Sequence, residues 1–268
     1  MGMNNKKREA HFTSSNAYKL IKRGKRLMDA DELITFKENN PKSRIKTMEC
    51  DKLFAEPGLT YIQEKQIELR MKTCLDGGGY TQALAWGNFM ELVIYNILGM
   101  DYQIASKDTV LHPKYGKFWS GSVDLFTSDP KTKVKESVAE IKCYQKKNFA
   151  LYSDCLLKKD IALFRDEFPK EYWQIVSNAI IHDVEIGEAI LYMPYVSEAE
   201  EIKELASNYE GEDKWMFRFI EERPIEDLPF LPDGGYYKNI CKYAFIIPQA
   251  DKDYLTLRMI EANKLLNN

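Results

Sequence analysis

The 268-residue chain carries 38 Lys and Arg against 41 Asp and Glu, with 44% hydrophobic and 29% charged residues. These globular proportions exclude a disordered or fibrous chain, and the length suits one core with elaborations rather than a multi-domain assembly. No apolar run reaches the length of a membrane span and residues 1–8 lack the apolar stretch of a secretory leader, so a cytoplasmic protein is expected. The five cysteines are scattered without C-x-x-C spacing, which points to a reduced setting without a disulfide framework or zinc site. Charge is uneven: residues 1–48 hold twelve Lys and Arg against five acids, leaving the rest of the chain at a net −10. A basic end on an acidic body suits a phosphate-binding surface or a solvated charged helix, and charge alone does not separate the two.

In chain order, Thr13-Ser14-Ser15 followed by Ala17, Leu20 and Ile21 predicts a helix with a hydroxyl cap, ending near Gly24. Residues 29–56 are polar and mixed. An amphipathic stretch over 61–74 closes at the turn 76–79, and a strongly apolar helix follows over about 81–98. The pattern then turns to β-rich runs at 102–105, 109–112, 118–126 and 134–144. Residues 148–168 and 172–182 read as helices, 189–195 as a buried strand, 215–220 and 243–247 as further strands, and a last helix begins near Asp251. The expected fold is one α/β domain with a mixed sheet flanked by helices, divided into a basic segment (1–60), a core (81–195) and C-terminal strands and helix (196–268).

The turn-rich segment 127–132 should join 118–126 and 134–144 as an antiparallel hairpin. Pairing centred near Thr132 sets Asp124 opposite Glu140, while Glu140 and Lys142 share one face of the sheet and Ile141 points into the other layer. Two carboxylates and a backbone carbonyl are hard oxygen ligands suited to Mg²⁺, and a lysine beside them can orient or deprotonate a water. On this spacing alone, a hairpin with a solvated polar face is the plain alternative. Glu91 adds weight, because a carboxylate in the apolar helix 83–98 needs a cation or a site to face. Gly87, one turn earlier, lets another backbone approach that face. Gln174 and Asn178 are amides on a well-packed helix; each taken alone reads as a surface or capping amide.

The segments Ala83-Leu-Ala-Trp-Gly87-x-x-x-Glu91, Ser122-Val-Asp124, Glu140-Ile-Lys142-Cys143 and Tyr172-x-Gln174, in that order, resemble the motifs of the phage lambda exonuclease and YqaJ-type viral recombinase nucleases of the PD-(D/E)XK superfamily. Arg8-x4-Thr13-Ser-Ser15 is similar to the family's N-terminal Arg and Thr-x-Ser segment. The resemblance implies a PD-(D/E)XK restriction-endonuclease-like core and a Mg²⁺-dependent DNA exonuclease, with Mn²⁺ as a substitute. It implies that Asp124, Glu140 and the Ile141 carbonyl bind the metal, that Glu91 serves a second metal or its water, that Lys142 activates or positions the nucleophile and that Gln174 helps hold it. Arg8, Ser15 and Ser122 would grip the terminal 5′-phosphate of duplex DNA. Val123 stands where the family often has proline, and Asn148 where it has a basic residue, with Lys146 and Lys147 just before it. Family analogy adds a ring-shaped trimer and a single-strand annealing protein as partner. Two alternatives stay open: a non-catalytic DNA-end-binding or recombinase-loading protein on the same fold, and a RecB-like single-strand nuclease without an iron–sulfur cluster.

Overall fold

The structure, a computed structural model, describes residues 9–75, 79–105, 108–129 and 131–267. In chain order these form β1 (Phe12–Thr13), a 3-10 helix over Ser14–Leu20, β2 (Arg23–Leu27), α1 (Ala30–Asn39), β3 (Thr47–Phe54), α2 (Glu56–Met71) and α3 (Gln82–Leu98). The short strands β4 (Gln103–Ile104), β5 (Val110–Leu111), β6 (Trp119–Gly121) and β7 (Leu125–Ser128) lead into β8 (Lys135–Lys142). Then come α4 (Lys146–Leu157), α5 (Ile161–Glu167), α6 (Pro169–His182), β9 (Ile186–Tyr192), α7 (Ala199–Ser207), α8 (Arg218–Glu222), β10 (Ile240–Ile246) and α9 (Gln249–Leu266).

Strand β8 is the middle of a five-stranded sheet ordered β10-β9-β8-β7-β4. Its pairing with β7 is antiparallel and with β9 parallel. A parallel neighbour requires a crossover, supplied by α4, α5 and α6. Alternate residues of β8 face opposite layers: Val138 joins a core with Phe149, Ile175 and Met259, whereas Ala139, Ile141 and, just past the strand's end, Cys143 join a second core with Trp86, Phe89 and Ile202. Helix α3 earns its burial by period: Ala85, Trp86, Phe89, Met90, Val93 and Ile94 form the inward stripe, and the Thr81 side chain caps Leu84 N. The expected mixed α/β sheet is thus realised in three layers.

The hairpin register is the expected one. Leu125 pairs with Ala139, Phe126 with Val138 and Thr127 with Ser137, which is symmetry about residue 132. The strand 118–126, however, is two strands in two sheets. Strand β6 pairs with β1 and β5, and the chain crosses at 122–124 before β7 joins β8. The break falls where Gly121 packs beneath side chains of the N-terminal segment and α6, and the Ser122 carbonyl turns to accept from Asn178.

Four further expectations are corrected. The helix from Ser14 is 3-10 and stops at Leu20; Gly24 lies in β2, where a Cβ would sit 2.6 Å from the Phe54 carbonyl oxygen. The mixed stretch 29–56 contains α1 and β3, the helix fixed by a reciprocal Asp29–Glu32 capping box. The helix over 148–168 is two helices, parted at Lys159 with φ 52° and restarted by the Asp160 cap. The expected strand 215–220 is helical, because its buried residues Met216, Phe217 and Ile220 follow a helical and not an alternating pattern.

Helix α9 closes the molecule over its N-terminal part. The buried Arg258 guanidinium lies 3.8 Å from the Phe54 ring centroid and donates to the carbonyls of Leu20, Lys22, Asp51 and Leu53.

Candidate active site

Glu140 sits on the α6 face of β8 and is only 2% exposed. Both of its oxygens are held. Gln174 Nε2 donates to Oε2 at 2.6 Å and Asn178 Nδ2 donates to Oε1 at 2.5 Å, two amides spaced i, i+4 on α6 and therefore stacked on one helix face. Lys142, two residues along the same strand face, brings its Nζ to 3.4 Å from Glu140 Oε2. Asp124 stands just before the first paired residue of β7, at the crossing between sheets, where its Oδ2 accepts from the Ile141 N–H at 2.8 Å. The crossing brings Asp124 and Glu140 together and ties one of them to the peptide between Glu140 and Lys142.

Burial, then the Asp124 charge, pushes the Glu140 carboxyl well above the ordinary glutamate range, with Lys142 opposing. Burial alone would lower Lys142, but Glu140, Asp124, Glu91 and Glu171 outweigh it and hold the ammonium above its usual range. Glu171, one turn before Gln174, accepts from the Tyr144 hydroxyl at 2.5 Å. Glu91 comes from α3 in the opposite layer. The approach is set at Gly87, where a Cβ would find the Cys143 carbonyl oxygen 3.7 Å away. Tyr95, one turn beyond Glu91, is raised by burial and then by Asp124, Glu91 and Glu140, which marks it as a phenol in the field of all three acids.

Ser15 and Ser122 line a small cavity of about 40 Å³ with Thr13, Ser14, Ser120 and Gln174. Its N-terminal wall is pinned by the Thr13 N–H donating to the Tyr61 hydroxyl at 2.9 Å and by Ser14 Oγ lying 2.8 Å from Ser177 Oγ. Gln174 belongs to both the cavity and the grip on Glu140. Arg8 lies outside the described residues. Lys146 and Lys147 are exposed on the first turn of α4.

Asn178 is the site residue that sequence reasoning set aside; its only signal was its i+4 spacing from Gln174. Ser14, Ser120 and Tyr95 carried no signal of their own, since a cavity wall assembled from three segments has no local spacing.

Asp124 and Glu140 offer hard oxygens at a buried spot with excess negative charge, which fits a divalent cation that keeps positions open. Among the described residues, no group of three or more His, Cys, Asp and Glu side chains is gathered to hold a metal ion. Glu91 therefore does not close a three-carboxylate set with the other two. A third protein ligand would be a backbone carbonyl, as the motif implies for Ile141.

An Asp at a sheet crossing, Glu-x-Lys on the adjoining strand and a glutamine helix over them, on a mixed sheet between helices, define the PD-(D/E)XK type of fold. Three solved structures share it along nearly the whole chain. LHK-Exo in complex with dAMP is 11% identical with a TM-score of 0.57, covering 100% of this chain and 93% of its own. The phage-related exonuclease from Haemophilus somnus 129PT is 13% identical with a TM-score of 0.53, covering 96% and 93%. LHK-Exo, described as an alkaline exonuclease from Laribacter hongkongensis, is 11% identical in a second structure with a TM-score of 0.52, covering 97% and 91%. No family model matches the chain, and no curated protein matches it in sequence. The resemblance read from the motifs thus holds at the level of the fold. No helix among the described residues is long and apolar enough to cross a membrane.

Proposed function

We propose that the chain is a divalent-metal-dependent DNA exonuclease that hydrolyses one strand of a duplex from its end, 5′ to 3′, in phage-type recombination. The observation that carries this reading is the buried Glu140, held at both oxygens, beside Asp124 and Lys142 on one sheet face. A structural hairpin has no need of that arrangement, and the shared fold with phage-type exonucleases supports the same reading.

Asp124 and Glu140 would hold Mg²⁺, or Mn²⁺ in its place, which when bound supplies Lewis acidity toward the scissile phosphate and its attacking water. Asp124 is oriented by the Ile141 N–H and Glu140 by its two amides, so neither carboxylate has to reorganise when substrate arrives. Lys142 directs its ammonium toward the same spot, where it can donate to the water and offset charge growing on the phosphoryl oxygens. The hydroxyl-lined cavity would receive the terminal phosphate through Ser15 and Ser122, with Arg8 as its cation and Lys146 and Lys147 along the backbone. Glu91 would act on water or a second metal from the α3 side.

The test is a time course of products from a blunt duplex labelled at either end and bearing either a 5′-phosphate or a 5′-hydroxyl, with Mg²⁺ and with chelator. Mononucleotides released from the 5′ side only with metal are expected. Internal cuts would replace the exonuclease reading with an endonuclease, and no cleavage with Mg²⁺ or Mn²⁺ would leave an end-binding protein.

A further inference from the structure

We infer that Asn178 is a positioning residue for this reaction: it is the permanent hold on Glu140, fastening that carboxylate to the strand crossing at Ser122, while Gln174, which borders the cavity, can exchange its bond to Glu140 for one to substrate. The inference rests on the nuclease reading of the site. Asn178 is fully buried, and its Nδ2 donates to Glu140 Oε1 at 2.5 Å and to the Ser122 carbonyl at 2.8 Å. A carboxylate and a carbonyl can only accept, so the amide has one orientation; turned over, it would set oxygen against oxygen twice. Its own oxygen therefore faces Gly121, buried and without a hydrogen-bond partner among the described residues. A Cβ at position 121 would collide with that oxygen and with Ser14 Oγ, so the strand end is bare where the amide needs room.

A buried amide with an orphaned oxygen works against stability, and an apolar side chain of similar size would pack α6 at less cost. What an apolar residue cannot supply is the grip on Glu140 Oε1. Gln174 takes the other oxygen, but it is half-buried and lines the open cavity, so any acceptor entering there competes with Glu140 for its N–H groups. Asn178 is sealed from solvent and keeps its two acceptors when Gln174 turns away. The two amides look alike in sequence and divide the work by exposure.

Asn178→Ala and Asn178→Ser test this. Mn²⁺ alone is titrated calorimetrically into DNA-free protein, steady-state kinetics are run on a blunt duplex, and melting temperature is recorded for each variant. Partners that orient a metal ligand typically contribute about 10–100-fold to metal affinity or activity. Asn178→Ala should weaken Mn²⁺ binding and lower kcat within that range while KM for the duplex stays unchanged. Asn178→Ser, whose hydroxyl can still donate, should recover part of both losses, and it carries the test if the alanine variant does not fold. A lower melting temperature with wild-type kcat and Mn²⁺ affinity would reduce Asn178 to packing and overturn the inference, as would a change in KM alone. Wild-type protein that neither binds Mn²⁺ nor cleaves duplex would overturn the nuclease reading and this inference with it. An active wild type indistinguishable from both variants would overturn this inference only.

Discussion

Glu140 is buried and gripped at both oxygens by side chains from one helix, whereas the N-terminal arm formed by β2, α1 and β3 carries a helix with no buried residue at all. The arm keeps its shape through local bonds: the Asp29–Glu32 box, the Arg26–Glu32 ion pair at 2.5 Å and the β2–β3 ladder. It joins the body through the buried Phe54 side chain and through the Asp51 and Leu53 carbonyls, which accept from Arg258. In the site, function hangs on individual side-chain atoms, and removing one leaves a buried partner unmatched. In the arm nearly all side chains but Phe54 are exposed or half-buried, and those outside its ion pairs can change charge without disturbing what lies beneath. The same chain thus combines a buried polar network fixed atom by atom with an arm whose surface is held by local bonds.

The largest losses are expected at the carboxylates. Asp124→Ala and Glu140→Ala should each reduce Mg²⁺-dependent cleavage to background while circular dichroism and gel filtration stay as in the wild type; near-normal turnover in folded protein would remove the proposed site. Lys142→Ala should lower kcat by about 10²–10³ yet keep duplex binding in Ca²⁺, measured by anisotropy. Lys142→Arg should recover little of the lost rate, because a planar guanidinium is broader than an ammonium; full recovery would reduce Lys142 to a positive charge.

On the arm side, Arg258→Met takes the donor from four carbonyls, those of Leu20, Lys22, Asp51 and Leu53, the first of them in a buried bond. It should lower unfolding free energy by on the order of 3 kcal/mol. For a chain of this size that is roughly 6–12 °C in Tm. The molecules that remain folded should cleave at near wild-type kcat, with the increase in hydrogen exchange concentrated in residues 23–54. A loss of kcat as large as that of Lys142→Ala would show that the two regions are not separable. The smallest effect is expected from the exposed Lys22 and Lys25. Replacing both with Ala should weaken binding to all duplex ends alike and lower the slope of log K against log salt by up to about 2. An unchanged slope would mean that this surface is solvated and touches no phosphate. Arg23 is the poorer probe, since it is committed to Asp51 at 2.5 Å and lies over the Tyr254 ring.

The sequence made the hairpin register legible because side-chain period and turn chemistry are local, and Asp124, Glu140 and Lys142 follow from that register. Helix α3 was legible for the same reason, its stripe repeating over four turns. The sheet crossing at 122–124 was hidden, because a run of apolar and small residues reads as one strand whether or not its halves pair with different partners. The status of Asn178 was hidden too: burial of an amide is decided by what packs on it, here Gly121 and Ser14 from distant segments. Helix α1 was missed because it has no apolar stripe, although its Asp29-x-x-Glu32 box is written plainly in the sequence.

The Arg258 clasp also has a consequence in time. Gln174 and Asn178 reach Glu140 across 34 and 38 positions, while Arg258 reaches the carbonyls of Leu20 and Leu53 across 238 and 205. During synthesis, the strands and helix that make the carboxylate site can meet as soon as α6 has left the ribosome. The arm, made first, has to wait for the last helix before its dock exists. A nascent chain arrested before residue 258 should therefore protect the 124–178 region from protease and leave 23–54 open to it. The segment translated among the earliest is among the last to be secured.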